Sequence, residues 1–154
     1  MNRLQFFLAL SATLLSTQVF ALSPEAAEGK KLFSACQACH DQTLDPPLGP
    51  PMWGVQRRYK NSTLDDEDFI DSIVAFVQKP SLENARHNKA VERMGLMPPL
   101  PMQDETLKKI ATYILEEKFP PPCAHWAIGV KLSTEKGDLE HARKDQRMLE
   151  RFCN

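Results

Sequence analysis

Residues 34–42 of the chain read SACQACHDQ and hold two cysteines, Cys36 and Cys39, with His40 directly after the second. Three kinds of site use such an arrangement: a redox-active dithiol, a structural metal site, or a point of covalent cofactor attachment. A thioredoxin-like dithiol needs a preceding buried strand in a βαβ unit. The residues before Cys36 instead predict a polar amphipathic helix, which disfavours the dithiol.

The metal and cofactor alternatives differ in what else they require. A structural zinc site needs two further ligands at a paired spacing. The remaining candidates form no second CxxC and no HxxxH pair; they are Cys123, His125, His141 and Cys153. Covalent haem attachment needs no second pair, because C-x-x-C-H is itself its signature. Residues three apart share one face of a helical turn, so both sulfurs can reach one porphyrin edge while His40 lies under the ring as an iron ligand.

The N-terminus predicts export. Arg3 is followed by an apolar run over 6–15 and then by Val19-Phe20-Ala21, which predicts a signal peptide over 1–21 cleaved after Ala21. The run is about half of the ~20 residues that a membrane-spanning helix needs, and an uncleaved anchor is the alternative. We therefore expect a periplasmic mature chain without a transmembrane segment.

Residue periodicity indicates an all-α protein, and the balance of charge bears on its partners. The chain has 19 basic and 20 acidic residues among 154, so nothing suggests a nucleic-acid partner. Helical periodicity occurs in four segments of the main domain: 23–36, 63–78, 81–95 and 104–119. Residues 41–60 carry prolines at 46, 47, 50 and 51 and no helical period, which predicts an ordered loop.

A second iron ligand is expected from a methionine in a stiff loop. Met97 lies in GLMPPLP, residues 95–101, where the prolines restrict the backbone and help to hold a thioether in place. Met94 and Met102 are the alternatives. His87 is a further alternative, and it would give a bis-histidine haem of lower potential.

Together these motifs resemble one family. AAEGKKLFSACQACH, GPPMWGV, GLMPPLP and DETLKKIATYILEE occur in the order found in monohaem class I c-type cytochromes, and the resemblance covers the haem domain expected at 22–119. It implies an all-α fold in which the first and last helices cross around a covalent haem c. Gly29 and Phe33 match the crossing positions of the first helix, and Ile110 and Tyr113 match those of the last.

The resemblance also implies roles for the residues around the haem. Pro50 would accept a hydrogen bond from His40 on its carbonyl oxygen. Arg58, or its neighbour Arg57, would pair with a haem propionate. Trp53 could meet a propionate through its N–H or simply pack. The family's capping position on the last helix holds Gln103, so we expect the cap to move to Asp104.

The implied function is one-electron transfer by a carrier that is not an enzyme, with a donor and an acceptor protein that the sequence does not name. Two alternatives stay open. One is a subunit permanently docked to a larger oxidoreductase. The other is a haem-based sensor or enzyme with a labile sixth ligand.

Residues 120–154 predict a helical tail. Helices are expected from Cys123 to about Thr134 and from an Asp138 cap to Cys153. In an oxidising compartment the remaining cysteines, Cys123 and Cys153, most simply form a disulfide across the open end of this hairpin. We expect the tail to pack on the haem domain through Trp126 and Phe152. The alternative is a flexible tail with two free thiols.

Overall fold

The computed structural model describes residues 21–153, and over that range the chain forms helices and no strands. The helices are α1 (Pro24–Leu32), α2 (Ser34–His40), α3 (Met52–Lys60), α4 (Asp66–Gln78), α5 (Asn88–Met94), α6 (Asp104–Glu116), α7 (Cys123–Glu135) and α8 (Leu139–Phe152). The expected signal peptide lies outside the described residues except for Ala21. Within the described range, no helix is both long enough and apolar enough to cross a membrane.

The first predicted helix forms in two parts. Ser23 caps it as expected, since its hydroxyl accepts a hydrogen bond from the amide of Ala26 at 3.1 Å. The chain then turns at Phe33, and α2 carries the CxxCH residues. The motif therefore sits on its own short helix at the end of α1.

The predicted helix crossing is confirmed. A methyl group on Gly29 would lie 1.9 Å from the carbonyl oxygen of Lys109, so the backbones of α1 and α6 touch at this point. Phe33 and Tyr113 fill one side of the crossing, with ring centroids 5.1 Å apart. Ile110 is 2% exposed at its centre.

The hydrophobic core extends from this crossing onto α4. Phe69, which is 1% exposed, and Ile73 project from α4 into the same buried cluster as Ile110. The N-terminus of α4 is capped by Asp65, whose carboxylate accepts a hydrogen bond from the amide of Asp68 at 2.8 Å. Helices α1, α4 and α6 thus share one hydrophobic core.

The prediction of a loop over 41–60 is wrong for its second half. Residues 52–60 form α3 directly after Pro51, which is the N-cap. A helix N-terminus leaves its first amides unpaired, so prolines just before it remove no helical hydrogen bond. The prolines therefore mark the end of the loop, and α3 begins directly after them.

Two other helix boundaries also differ from prediction. Residues 81–87 form turns, because the Asn84 carboxamide accepts from the Ser81 amide at 2.9 Å and donates to the Lys79 carbonyl at 2.9 Å. Such side-chain bonds compete with a helix. The predicted Asp104 cap is wrong as well: Gln103 is the N-cap of α6, and the Asp104 carboxylate instead accepts from the Gln78 side chain at 2.6 Å.

The tail forms the expected helical hairpin. Asp138 caps α8 by accepting from the amide of His141 at 3.1 Å, and Gly137 turns the chain with a φ of +75°. Cys123 and Cys153 are joined in a disulfide, with their α-carbons 5.9 Å apart. Both arms of the hairpin are therefore fixed at their open end.

Candidate functional site

A cavity of about 250 Å³ lies between α2, the core helices and the loop before α6. Cys36, Cys39, His40 and Met97 all line it. Its walls are mainly apolar and include Val55, Ile73, Val77, Leu107 and Ile110. The fold therefore brings the motif residues together with Met97, which lies 61 positions after Cys36 in the chain.

The two cysteines of the motif are available for covalent attachment. Both are free thiols one turn apart on α2, with Cys36 half-buried and Cys39 exposed. Burial, together with the neighbouring Cys39, raises the pKa of the Cys36 thiol above its ordinary value. In a haem c these two sulfurs would be the thioether atoms.

A hydrogen bond fixes the orientation and the tautomer of His40, as a neutral imidazole ligand requires. Its Nδ1 lies 2.6 Å from the carbonyl oxygen of Pro50. A carbonyl can only accept, so Nδ1 carries the proton and Nε2 keeps its lone pair. Burial lowers the pKa of His40 below its usual value. A methyl group on Gly49 would lie 3.0 Å from the Cys39 carbonyl oxygen, so the loop passes close to the motif.

Several methionines reach the cavity. Met97 lines the cavity together with Met94 and Met102, so a place in the lining does not by itself identify the iron ligand among these three methionines. Met97 is distinguished by its loop: Gly95 leaves α5 with a φ of +82°, and the amide of Leu100 donates to the carbonyl of Val77 at 3.0 Å. The loop is therefore anchored to α4 just past Met97.

The predicted propionate residues lie outside this cavity. Arg57 and Arg58 are exposed and line an adjacent cleft, as does Trp53. The guanidinium carbon of Arg57 sits 4.6 Å from the centroid of the Trp53 ring.

Two basic residues also line the cavity; sequence reasoning missed Arg86 and named His87 only as an alternative iron ligand. Arg86 and His87 line it, and the buried Nδ1 of His87 has no hydrogen-bond partner in the described part of the chain. They belong to segment 81–87, which forms turns in place of the predicted helix, so helical spacing does not show which side chains face inward. The adjacent basic residues in NARHN were the only signal for Arg86.

The tail meets the main domain at Trp53. The Trp126 ring stands edge-on to Trp53 at a centroid distance of 5.4 Å, and Phe152 lies 5.5 Å from the same ring. Trp126 is 6% exposed. The expected anchoring residues of the tail therefore contact one of the predicted site residues.

Comparisons with known proteins point to one family. The family model described as Cytochrome c matches residues 26–118. A cytochrome c-553-like protein of Synechocystis sp. is 40% identical over 47 residues, which cover 30% of this chain and 45% of that protein. The chain therefore spans less than half of that curated relative. No solved structure matched the chain.

Proposed function

This chain belongs to the cytochrome c family, and on that premise we propose that it carries single electrons through one haem c with His40 and Met97 as axial ligands. Members of this family bind haem c covalently and use it for electron transfer. The observation that supports the finer proposal is the single cavity lined by Cys36, Cys39, His40 and Met97. When bound there, the haem supplies a ferric–ferrous couple.

Each residue has a distinct role in this proposal. Cys36 and Cys39 hold the haem edge, and the Pro50 carbonyl orients His40 and strengthens it as a donor. Met97 would be the second protein ligand of the iron, which would leave no open position for a substrate and favours a carrier over an enzyme. The apolar walls keep water out and raise the potential, because the ferric form carries the extra positive charge.

The candidate arginine partners of the haem propionates lie in two places, the cavity itself and the adjacent cleft. Arg86 lines the cavity itself. Arg57 and Arg58 line the cleft that shares His87 and Pro50 with the cavity. Arg86 therefore joins the two predicted arginines as a candidate partner, and Trp53 is assigned mainly to packing.

The organisation of the chain follows from the same proposal. Residues 1–21 would be the signal peptide, 22–119 the haem domain and 120–154 the disulfide-closed tail. We propose that the mature protein works in the periplasm between redox partner proteins. An oxidising compartment accommodates the disulfide of Cys123 and Cys153.

A second candidate function is a subunit docked to a larger oxidoreductase. It is favoured by the hairpin, because the family match ends at residue 118 and the tail begins just beyond it. Co-purification of a stable complex from native membranes would support this version. A free protein in the soluble extract would support the mobile carrier.

A redox titration of the mature holoprotein, followed by its absorption spectrum, tests the proposed function. We expect one haem per chain, a reversible one-electron couple and no binding of carbon monoxide to the ferrous form. Rapid carbon monoxide binding by the wild type would instead favour the haem-based sensor or enzyme, because the sixth position would then be open.

A further inference from the structure

The tail touches the haem domain beside the segment that carries the Pro50 carbonyl. Trp126 of α7 and Phe152 of α8 both lie on Trp53, and their own rings are 5.9 Å apart. Trp53 is the second residue of α3. Three aromatic rings from three helices therefore meet where α3 begins.

A second contact holds the other end of the same segment. The ammonium group of Lys131 on α7 lies 3.6 Å from the carboxylate of Asp45. Asp45 and Trp53 flank residues 46–52, so the hairpin spans this segment from one end to the other. A cleft on this side is lined by residues of the motif, the segment and the tail: His40, Pro51, Trp53 and Pro122.

A short and stiff path leads from Trp53 to the acceptor of the His40 hydrogen bond. The Pro50 carbonyl belongs to the peptide plane attached to the Pro51 ring, and the φ of Pro51 is −58°. A proline ring fixes that angle. The Pro51 carbonyl in turn accepts from the amides of Gly54 at 2.9 Å and Val55 at 3.1 Å. The orientation of the Pro50 carbonyl therefore follows the first turn of α3.

We infer that Trp126 is a positioning residue for His40. By packing on Trp53 it fixes the start of α3, and with it the Pro50 carbonyl that accepts from His40 Nδ1 at 2.6 Å. This inference rests on the proposed function, since His40 matters as the axial ligand. A well-held hydrogen bond makes the imidazole a stronger donor, and a stronger donor stabilises the ferric form. The tail therefore lowers the potential of the haem.

The test compares midpoint potentials of holoproteins that differ at one position of α7. In Trp126→Ala the ferric-to-ferrous ratio at a fixed applied potential should fall at least threefold, a rise in midpoint potential of about 28 mV. Trp126→Phe keeps a ring on Trp53 and should restore most of the wild-type value. Ile128→Ala, a half-buried aliphatic position on the same helix, is the control and should not shift the potential.

A second measurement reads the hydrogen bond itself. The Nδ1 proton of His40 should exchange with deuterated solvent at least threefold faster in Trp126→Ala than in the wild type, as followed by proton NMR of the holoprotein. If Trp126→Ala does not fold, Phe152→Leu gives the same test, because it also loosens the contact with Trp53.

The outcomes separate this inference from the proposed function. Unchanged potential and unchanged exchange in Trp126→Ala would overturn the positioning role, as would an equal shift in Ile128→Ala. A wild type without a reversible one-electron couple would overturn the proposed function, while the exchange measurement would still decide whether Trp126 holds the His40 hydrogen bond.

Discussion

Gly29 lies so close to the Lys109 carbonyl oxygen that a methyl group on Gly29 would come within 1.9 Å of it. That distance cannot be met without moving α1 away from α6. The crossing sets the position of α2, which continues from α1 and carries Cys36, Cys39 and His40. This close backbone contact between α1 and α6 therefore supports the site from behind.

Gly29→Ala should destabilise the holoprotein by ~1–3 kcal/mol, because the crossing must open to admit the methyl group. Denaturant unfolding of the ferric protein gives this value. Gly54→Ala in α3 is the matched control, since its added methyl group would meet only His87 Nε2 at 3.8 Å. The control should be neutral or slightly stabilising. Equal losses in both variants would contradict the crossing argument.

Met97→Ala should open the sixth position to small exogenous ligands, whereas Met97→His should keep six-coordination and lower the midpoint potential. Absorption spectra with and without carbon monoxide measure the first effect, and a redox titration measures the second. Met94→Ala and Met102→Ala are the controls, because both side chains line the same cavity. A wild-type spectrum in Met97→Ala together with an altered one in Met94→Ala would assign the ligand to Met94.

The Cys123–Cys153 disulfide closes a loop across a sequence separation of 30 residues. In the chain-entropy model a loop of this length stabilises the fold by roughly 3–4 kcal/mol. The double variant Cys123→Ser/Cys153→Ser should lose about that amount in denaturant unfolding. Thiol titration of denatured, unreduced holoprotein should find no free thiol. Two free thiols would remove the disulfide from this account.

His125 should make the stability of the tail depend on pH. Burial, then the nearby His141, Lys144 and His87, lower its pKa to about 4, whereas an unfolded chain titrates near ~6.5. As the pH falls below ~6.5, His125 binds a proton in the unfolded chain. In the folded chain it binds that proton only near pH 4. The free energy of unfolding is therefore highest above that window and falls as the pH drops through it.

The contribution of His125 to the pH dependence of the unfolding free energy is measured by comparing wild type with His125→Gln. Between pH 7.5 and 4.5, wild-type protein should lose ~1–2 kcal/mol more than His125→Gln, after allowance for screening at a partly exposed site. Glu135→Gln, at the exposed end of α7, is the control and should keep the wild-type slope. Parallel profiles for wild type and His125→Gln would show that His125 has the same pKa in the folded and the unfolded chain.

The parts of the fold that the sequence predicted are those with a local rule. Ser23 and Asp138 cap helices because their side chains reach an amide three residues on. Gly29 and Tyr113 follow from the family pattern together with helical spacing. The start of α3 was missed because prolines just before a helix look the same in sequence as prolines in a loop.

The residue missed at the site lies where no such rule applies. Arg86 reaches the cavity from turns shaped by Asn84 side-chain bonds, so no helical period marks it as inward-facing, and its neighbour His87 was expected only as an alternative iron ligand. The contact between Trp53 and Trp126 joins segments 73 positions apart. Only the three-dimensional packing of the hairpin reveals it.

The motif cysteines should both be needed for haem retention. Cys36→Ala and Cys39→Ala should each lower the yield of holoprotein sharply, because only one of the two vinyl groups along the haem edge can then form a thioether. Haem staining of denatured protein on a gel measures this. Leu48→Ala, an exposed residue at the cavity rim, should keep the wild-type yield. Full yields from both cysteine variants would argue against thioether attachment.

The proposed attachment of haem to Cys36 and Cys39 is tested most directly by the intact mass of the denatured protein after expression with a c-type haem attachment system. The predicted mass is that of residues 22–154 plus one haem, and digestion should place the haem on the peptide that contains Cys36, Cys39 and His40. A mass equal to the polypeptide alone, with both motif cysteines open to alkylation, would contradict the assignment of this chain as a haem electron carrier.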